Sequence, residues 1–228
     1  MPPRTDAGEV RLSVGVGRLG PMTTAPPDPK AVLHRYLRSA REALVWKVSG
    51  LSEREARMPR TPTGTNLLGL VKHAATVEIG YFGDVFGRPW PHPEAAPWLA
   101  AADAPDADAD ALQAEFFATA VESTEQLVDL YRQVWDFADA TIEELPLDAP
   151  GRVPWWRAGH QDVTLHQILV HVTAELHRHA GHADILREDA EGDVGLSAGN
   201  DNLVPGFDYA AYTATLRGIA EGFPQEDR

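Results

Sequence analysis

"TLHQILVHVTAELHRHAGHADILRE", Thr164 to Glu188, is the stretch on which the reading of the fold turns. It is too long for a strand, and its apolar residues recur at helical spacing. On a wheel of about 100° per residue with Leu165 at zero, Ile168, Leu169, Val172, Leu176, Ala183 and Leu186 all fall within about 60° of Leu165. That stripe must face a core. Thr164 is a suitable N-cap and Gly192 a suitable stop, so a helix is expected from Leu165 to about Glu188. Between His171 and His182 the same helix holds four of the chain's nine histidines, and also Glu175. His179 falls inside the stripe, at roughly −40°, and Glu175 on its edge, at roughly −80°. His182 and His171 lie further round, at roughly −100° and −120°, and His177 on the far side at roughly +120°. Glu175 and His179 are therefore an i, i+4 pair bordering the apolar face, a spacing that converges on one ion in helical metal sites. The alternative on this helix alone is a Glu–His hydrogen bond on a polar face. A carboxylate at the edge of a core is costly without a cation.

Working outward, three more long helical patterns appear. The first covers Pro29 to Val48, with Val32, Leu33, Tyr36, Leu37, Ala40 and Leu44 on one face and Gly50 after its end. A proline-rich connector follows. The second is expected from Asn66 to Phe86, with Thr65 or Asn66 as cap and Gly87 and Pro89 as stop. A Pro/Ala/Asp-rich segment then runs from Arg88 to about Asp110, with a short helix in "DALQAEFFATA". The third pattern continues to about Leu145, where Pro146 and Pro150 break it. The loop "GRVPWWRAGHQDV" carries two tryptophans, and a short last helix is expected near Tyr209 to Glu221. No stretch alternates with period two. The expected fold is all-α: a four-helix bundle with a long crossover between helices 2 and 3, which makes those two helices run parallel. Residues 28–228 are expected to form this one unit.

Residues 1–27 read as a flexible tail. "GVGRLG" (Gly15 to Gly20) matches a dinucleotide-binding pattern, but "PMTTAPP" follows it and cannot open the helix such a site requires. Met22 is a candidate start, with residues 1–21 an upstream extension. The net charge of −14 and the lack of a basic cluster argue against nucleic acid or an anionic membrane as partner. No apolar run reaches the roughly 18–20 residues of a membrane span, and no signal pattern opens the chain. A cytoplasmic location is the expectation. With no cysteine in the chain, thiolate ligands and a protein-borne thiol nucleophile are excluded. Any metal must use His, Asp or Glu, and any thiol must arrive as a small molecule.

A third metal ligand must come from another helix. The second offers His73 and Glu78. With Leu67 at zero, Glu78 sits at roughly +20° and His73 at roughly −120°. Leu70, Val77 and Tyr81 share His73's side, so periodicity leaves the choice between them open.

"NLLGLVKHAATVEIGYF" (Asn66 to Phe82), followed about a hundred residues later by the opening stretch, resembles the DinB-like superfamily over about residues 30–222. "RHAGHADILRE" is the most specific part of the likeness. Within the superfamily, the chain is similar to a branch catalogued as a domain of unknown function and to the mycothiol-dependent maleylpyruvate isomerases. The resemblance implies a four-helix bundle with a long crossover after helix 2. It implies a metal site formed by His73, Glu175 and His179, with Glu175 in the form seen in the mycothiol-dependent isomerases. Maleylpyruvate isomerisation itself is not expected, because the isomerases' C-terminal domain has no counterpart in this sequence. The implied metal is a divalent ion, zinc by default, with nickel, iron or manganese fitting a similar donor set.

Three such ligands leave a fourth position open. The expected activity is a metal-dependent transfer or isomerisation that uses mycothiol or a similar thiol as cosubstrate and an electrophilic acceptor. Trp155, Trp156 and Tyr81 are expected to line the cosubstrate pocket, unless they serve packing alone. His182 is a further ligand or a partner of the ligands, and His171 and His177 are surface or supporting groups. Arg178 and Arg187 are expected in surface ion pairs. The competing readings are a non-enzymatic metal-binding stress-response protein and a metal-dependent hydrolase. A homodimer is the family-level expectation.

Overall fold

The computed structural model describes residues 27–197 and 199–224. The tail, "GVGRLG" and Met22 therefore lie outside the described residues. Eight helices are described: α1 (Pro29–Val48), α2 (Glu53–Arg57), α3 (Leu67–Phe82), α4 (Pro97–Ala102), α5 (Ala109–Gln113), α6 (Thr124–Glu144), α7 (Leu165–Glu191) and α8 (Tyr209–Glu221). The long ones start on side-chain caps. Asp28 accepts from the amides of Lys30 and Ala31, Asn66 from Gly69, and Thr164 from Gln167. Ser123 and Gln126 form a reciprocal capping box at α6. Gly192, at φ 79°, takes the left-handed conformation that closes α7.

Side-chain pairings give the helix directions. Lys72, Glu78 and Arg88 meet Glu122, Tyr131 and Glu144 in that order, so α3 and α6 run parallel. Lys30 at the start of α1 donates to carbonyls at the end of α6, and Lys47 at its end meets Asp184 late in α7. Tyr81 meets His171 while His73 meets Glu175, so α3 and α7 are antiparallel. The order is up-down-down-up, and the long crossover is its cause.

α3 is the helix the others surround. Leu67, Leu68, Leu70, Val71, Ala74, Ala75, Ile79 and Phe82 are all buried, facing α1, α6 and α7. This explains why its apolar residues cover most of its circumference. Glu78 and Lys72 are buried with them. Glu78 accepts from Arg41 Nε at 3.0 Å and from the Tyr131 hydroxyl at 2.9 Å. Arg41 also donates to Asp139 at 2.6 Å. Burial alone would lower the Arg41 pKa, but the Glu78 carboxylate outweighs it and holds the guanidinium firmly charged.

Several local expectations are corrected. The second helix ends at Phe82, not Phe86. At Gly83 the chain leaves the helix, and a 3-10 turn covers Asp84–Phe86. A side chain at Gly83 would meet the Arg88 carbonyl oxygen at 2.8 Å, so the sharp exit needs a glycine. The connector after α1 holds the short helix α2, and the crossover adds α4 and 3-10 turns at Pro93–Ala95 and Ala114–Phe116, while α5 is the short helix expected in "DALQAEFFATA". The tryptophan loop is closed by two three-residue strands, β1 (Pro150–Arg152) and β2 (Asp162–Thr164), paired antiparallel. Strands this short carry too few residues to show alternation. Arg187 is buried rather than in a surface pair: it donates to the carbonyls of Lys47 and Ser49 at the end of α1, as well as to Asp193. By contrast, every residue of α8 is exposed. No helix among the described residues is long and apolar enough to cross a membrane.

Candidate metal centre and its cavities

His73 projects from the middle of α3 toward α7, where Glu175 and His179 stand one turn apart. One donor atom from each of the three lies within 4.8 Å of the others, the one such group among the described residues. His179 Nε2 is 3.0 Å from Glu175 Oε1, and His73 Nε2 is 3.9 Å from the same oxygen. Ligands about 2.1 Å from a tetrahedral ion stand roughly 3.4 Å apart, between these two values. The donor set therefore fits a divalent ion with small side-chain movements. Glu78, the alternative left open by periodicity, is engaged with Arg41 and Tyr131.

The remaining ring nitrogens are also occupied. His73 Nδ1 is 3.1 Å from Glu115 Oε2, and its ring stacks on Phe116 at 4.6 Å. A carboxylate on Nδ1 fixes the tautomer, turns Nε2 toward the centre and raises its basicity. His179 Nδ1 lies 3.4 Å from His182 Nδ1. Glu115 and Phe116 belong to the 3-10 turn of the crossover. Nothing in their sequence spacing links them to His73, because a turn between short helices has no period to read. His177 is exposed, as expected.

The His179 imidazole titrates below its ordinary value because burial opposes a charge on it, and neighbouring His73 adds to the effect; Glu175 pulls the other way and loses. A neutral imidazole is the form a metal requires. Burial likewise lowers the pKa of His171, against the pull of Glu175.

Two cavities flank the three residues. The larger, about 450 Å³, is lined by His73 and Glu175 together with Val77, Tyr81, Leu99 and Trp155. The smaller, about 290 Å³, is lined by His179 and His182 with Thr63, Asn66, Gln113 and Phe116. Tyr81 and Trp155 thus line a cavity beside the centre. Trp156 stands behind them: its indole donates to the Tyr81 hydroxyl at 2.9 Å and does not line that cavity. The Trp155 indole lies 3.4 Å from the same oxygen. With these two donors, the hydroxyl's own proton is directed to His171 Nε2, 3.1 Å away. This requires a neutral His171, in keeping with its lowered pKa. The Trp155 ring packs beside Gly80 on α3, where a Cβ would meet it in ordinary contact at 3.4 Å.

Comparison with known proteins agrees with this architecture. A conserved protein from Enterococcus faecalis, known from its crystal structure, superposes with a TM-score of 0.56 at 17% identity. The alignment covers 73% of this chain and 99% of that one. At that identity the likeness speaks for the fold alone. No curated protein matches the chain. The family model for mycothiol-S-transferase matches residues 32–192, from the first turn of α1 to the glycine that caps α7. That match takes in His73, Glu115, Glu175, His179 and both cavities, and the chain accordingly belongs to the DinB-like mycothiol-S-transferase family.

Proposed function

We propose that this protein is a metal-dependent S-transferase that joins mycothiol, or a closely similar thiol, to an electrophilic carbon. One observation carries the reading: within a chain of this family, His73, Glu175 and His179 converge between two cavities while the sequence contains no cysteine. These three residues would hold the ion, and zinc is the metal that such a set most commonly binds. When bound, it lowers the pKa of a thiol so that thiolate is present at neutral pH.

The residues divide the remaining work. Glu115 and Phe116 orient His73, and His182 orients His179 through Nδ1. The smaller cavity offers hydroxyls and amides from Thr63, Thr65, Asn66 and Gln113 to a polar, hydroxyl-rich thiol. The larger offers apolar and aromatic walls from Val77, Leu99, Tyr81 and Trp155 to the acceptor. The acceptor either loses a leaving group as the sulfur–carbon bond forms or takes the sulfur across an activated double bond. In the first case the thiol proton and the leaving group pass to solvent; in the second the thiol proton is lost and the acceptor's other carbon takes one up from water. Holding both partners against one centre supplies the proximity on which a bimolecular transfer depends. The site of action is the cytoplasm, where small thiols are kept reduced.

The test compares wild type with His179→Ala. Elemental analysis should find about one divalent ion per wild-type chain and far less in the variant. Wild type incubated with mycothiol and a bimane or dinitrophenyl electrophile should form the thioether faster than the uncatalysed reaction. Metal-free wild type with an intact fold overturns the proposal. So does a fully loaded protein showing no thiol-dependent turnover, an outcome that would favour a non-catalytic metal-binding role.

A further inference from the structure

The larger cavity has a charge character that restricts what it can accept. Beyond Glu175 and Glu115, which belong to the centre, Asp84 and Asp103 line the same space. Asp84 comes from the 3-10 turn after α3, and Asp103 from the end of α4. Among the described residues no lysine or arginine lines the cavity. Lys72, the one lysine of α3, is turned to Glu122 and the Phe117 carbonyl, with its ammonium over the Trp98 ring. Among the described residues, the Asp84 and Asp103 side chains form no ion pair or hydrogen bond. Both residues are exposed at the cavity mouth; partial desolvation, and after it the neighbouring Asp103 charge, holds the Asp84 carboxyl above its ordinary pKa. Tyr81 and Trp155 line the same cavity, and their rings meet edge to face at 5.4 Å.

A bound divalent ion would not reverse this balance: Glu175 and a thiolate would match its two charges, leaving the carboxylates of Glu115, Asp84 and Asp103 without a cation.

Resting on the transferase reading of the centre, we propose that the larger cavity selects acceptors that carry an apolar or aromatic body with a cationic tail, and rejects anionic ones. The body lies along Val77, Leu99, Tyr81 and Trp155. The tail reaches Asp84 and Asp103 at the end away from the reacting carbon, and an aromatic face adds attraction for a cation. A carboxylate-bearing acceptor brings like charge to these carboxylates, and the described lining offers it the imidazoles of His73 and His171 but no lysine or arginine.

The test uses three matched benzyl bromides whose para substituent ends, beyond a two-carbon spacer, in trimethylammonium, methoxy or carboxylate. Their kcat/KM values with mycothiol at low salt and pH 8 are divided by the uncatalysed rates. Unreactive para-methyl counterparts are titrated onto the metal-loaded protein by calorimetry. The expected order in both measurements is cation, neutral, anion, with at least about a tenfold gap between the extremes, shrinking at high salt. In Asp84→Asn/Asp103→Asn the cation-to-anion ratio should fall toward one. In Trp155→Ala the cation should lose more affinity than the neutral ligand. An anion that binds and reacts as well as the cation overturns the proposal, as does a ratio unchanged in the double variant or a failure of all three ligands to bind. Charge-ordered binding without thiol-dependent turnover sinks the transferase reading and leaves the selectivity standing. Turnover with no charge order sinks the selectivity alone.

Discussion

Gly69 offers a direct test of how the crossover is held against the centre. It lies within α3, where glycine costs about 1 kcal/mol relative to alanine. On propensity alone, Gly69→Ala should stabilise. The structure says otherwise. A Cβ there would collide with the Phe116 carbonyl oxygen and stand 2.7 Å from the Phe116 carbonyl carbon and 2.9 Å from Asn66 Nδ2. Two of those atoms are backbone, so the crossover itself must move, by roughly 1.5 Å if ordinary contact near 3.5 Å is to be restored. Overpacking of this kind costs about 1–3 kcal/mol. The Asn66–Phe116 hydrogen bond, 3.1 Å long, contributes about 1 kcal/mol more. Subtracting the helix gain leaves a net loss of about 1–3 kcal/mol, or a Tm lower by roughly 2–10 °C in a chain of this size. Moving Phe116 also moves Glu115 off His73, and loss of such a partner lowers metal affinity by about 10–100-fold. Gly181→Ala is the control. It lies in α7 with nothing within 4 Å of its Cβ position, and should gain about 1 kcal/mol. Thermal melts of the metal-free proteins and competition with a metal indicator measure both effects. A Gly69→Ala protein as stable as Gly181→Ala, with wild-type metal affinity, would refute the reasoning.

Three other substitutions probe separate parts of the molecule. Glu115→Gln keeps an acceptor for His73 Nδ1 but removes its charge; metal affinity should fall by roughly tenfold or more with the melting curve little changed, which isothermal competition can read. Glu78→Leu leaves Arg41 buried without its main partner and should cost about 3–5 kcal/mol in urea unfolding, whereas a paired Arg41→Met/Glu78→Leu should recover much of that loss. Burial acts to raise the Asp139 pKa, but His34, whose Nε2 stands 2.8 Å from the carboxylate, and Arg41 outweigh it and hold the carboxyl below its ordinary 3.8. A depressed folded-state pKa stabilises above the unfolded value and is lost as pH falls through the folded one. Stability should therefore decline below about pH 4 from this group, and Asp139→Asn should flatten that part of the profile.

The parts of the fold legible in the sequence are those with a repeating apolar period. α1 and α8 fall where the spacing puts them, and α7 overruns its expected end by less than a turn. The parallel run of α3 and α6 follows from a connection too long for a simple hairpin. The candidate ligands Glu175 and His179 are visible because they share a face with the stripe. The choice between His73 and Glu78 was not, since α3 is surrounded on three sides and its period is nearly lost. Glu115, Asp84 and Asp103 sit on turns or at a helix end, where side-chain direction depends on the packing of distant segments. Two adjacent tryptophans suggest a pocket in sequence, yet only the structure separates Trp155 at the cavity from Trp156 behind it.

The buried contact of Glu78 with Arg41 and Tyr131 has a geometric consequence for the centre. A helix that is apolar on nearly all sides gains little from any one rotation about its axis. Glu78 removes that freedom, because its carboxylate reaches its partners in one angular setting. Five residues earlier, about 140° round the helix, His73 is then aimed at α7. The carboxylate acts as an indexing pin, and the imidazole is the pointer that it sets. Chains in which oily side chains replace the pin can remain well folded while the pointer drifts, so thermal stability alone is a poor guide to an assembled centre.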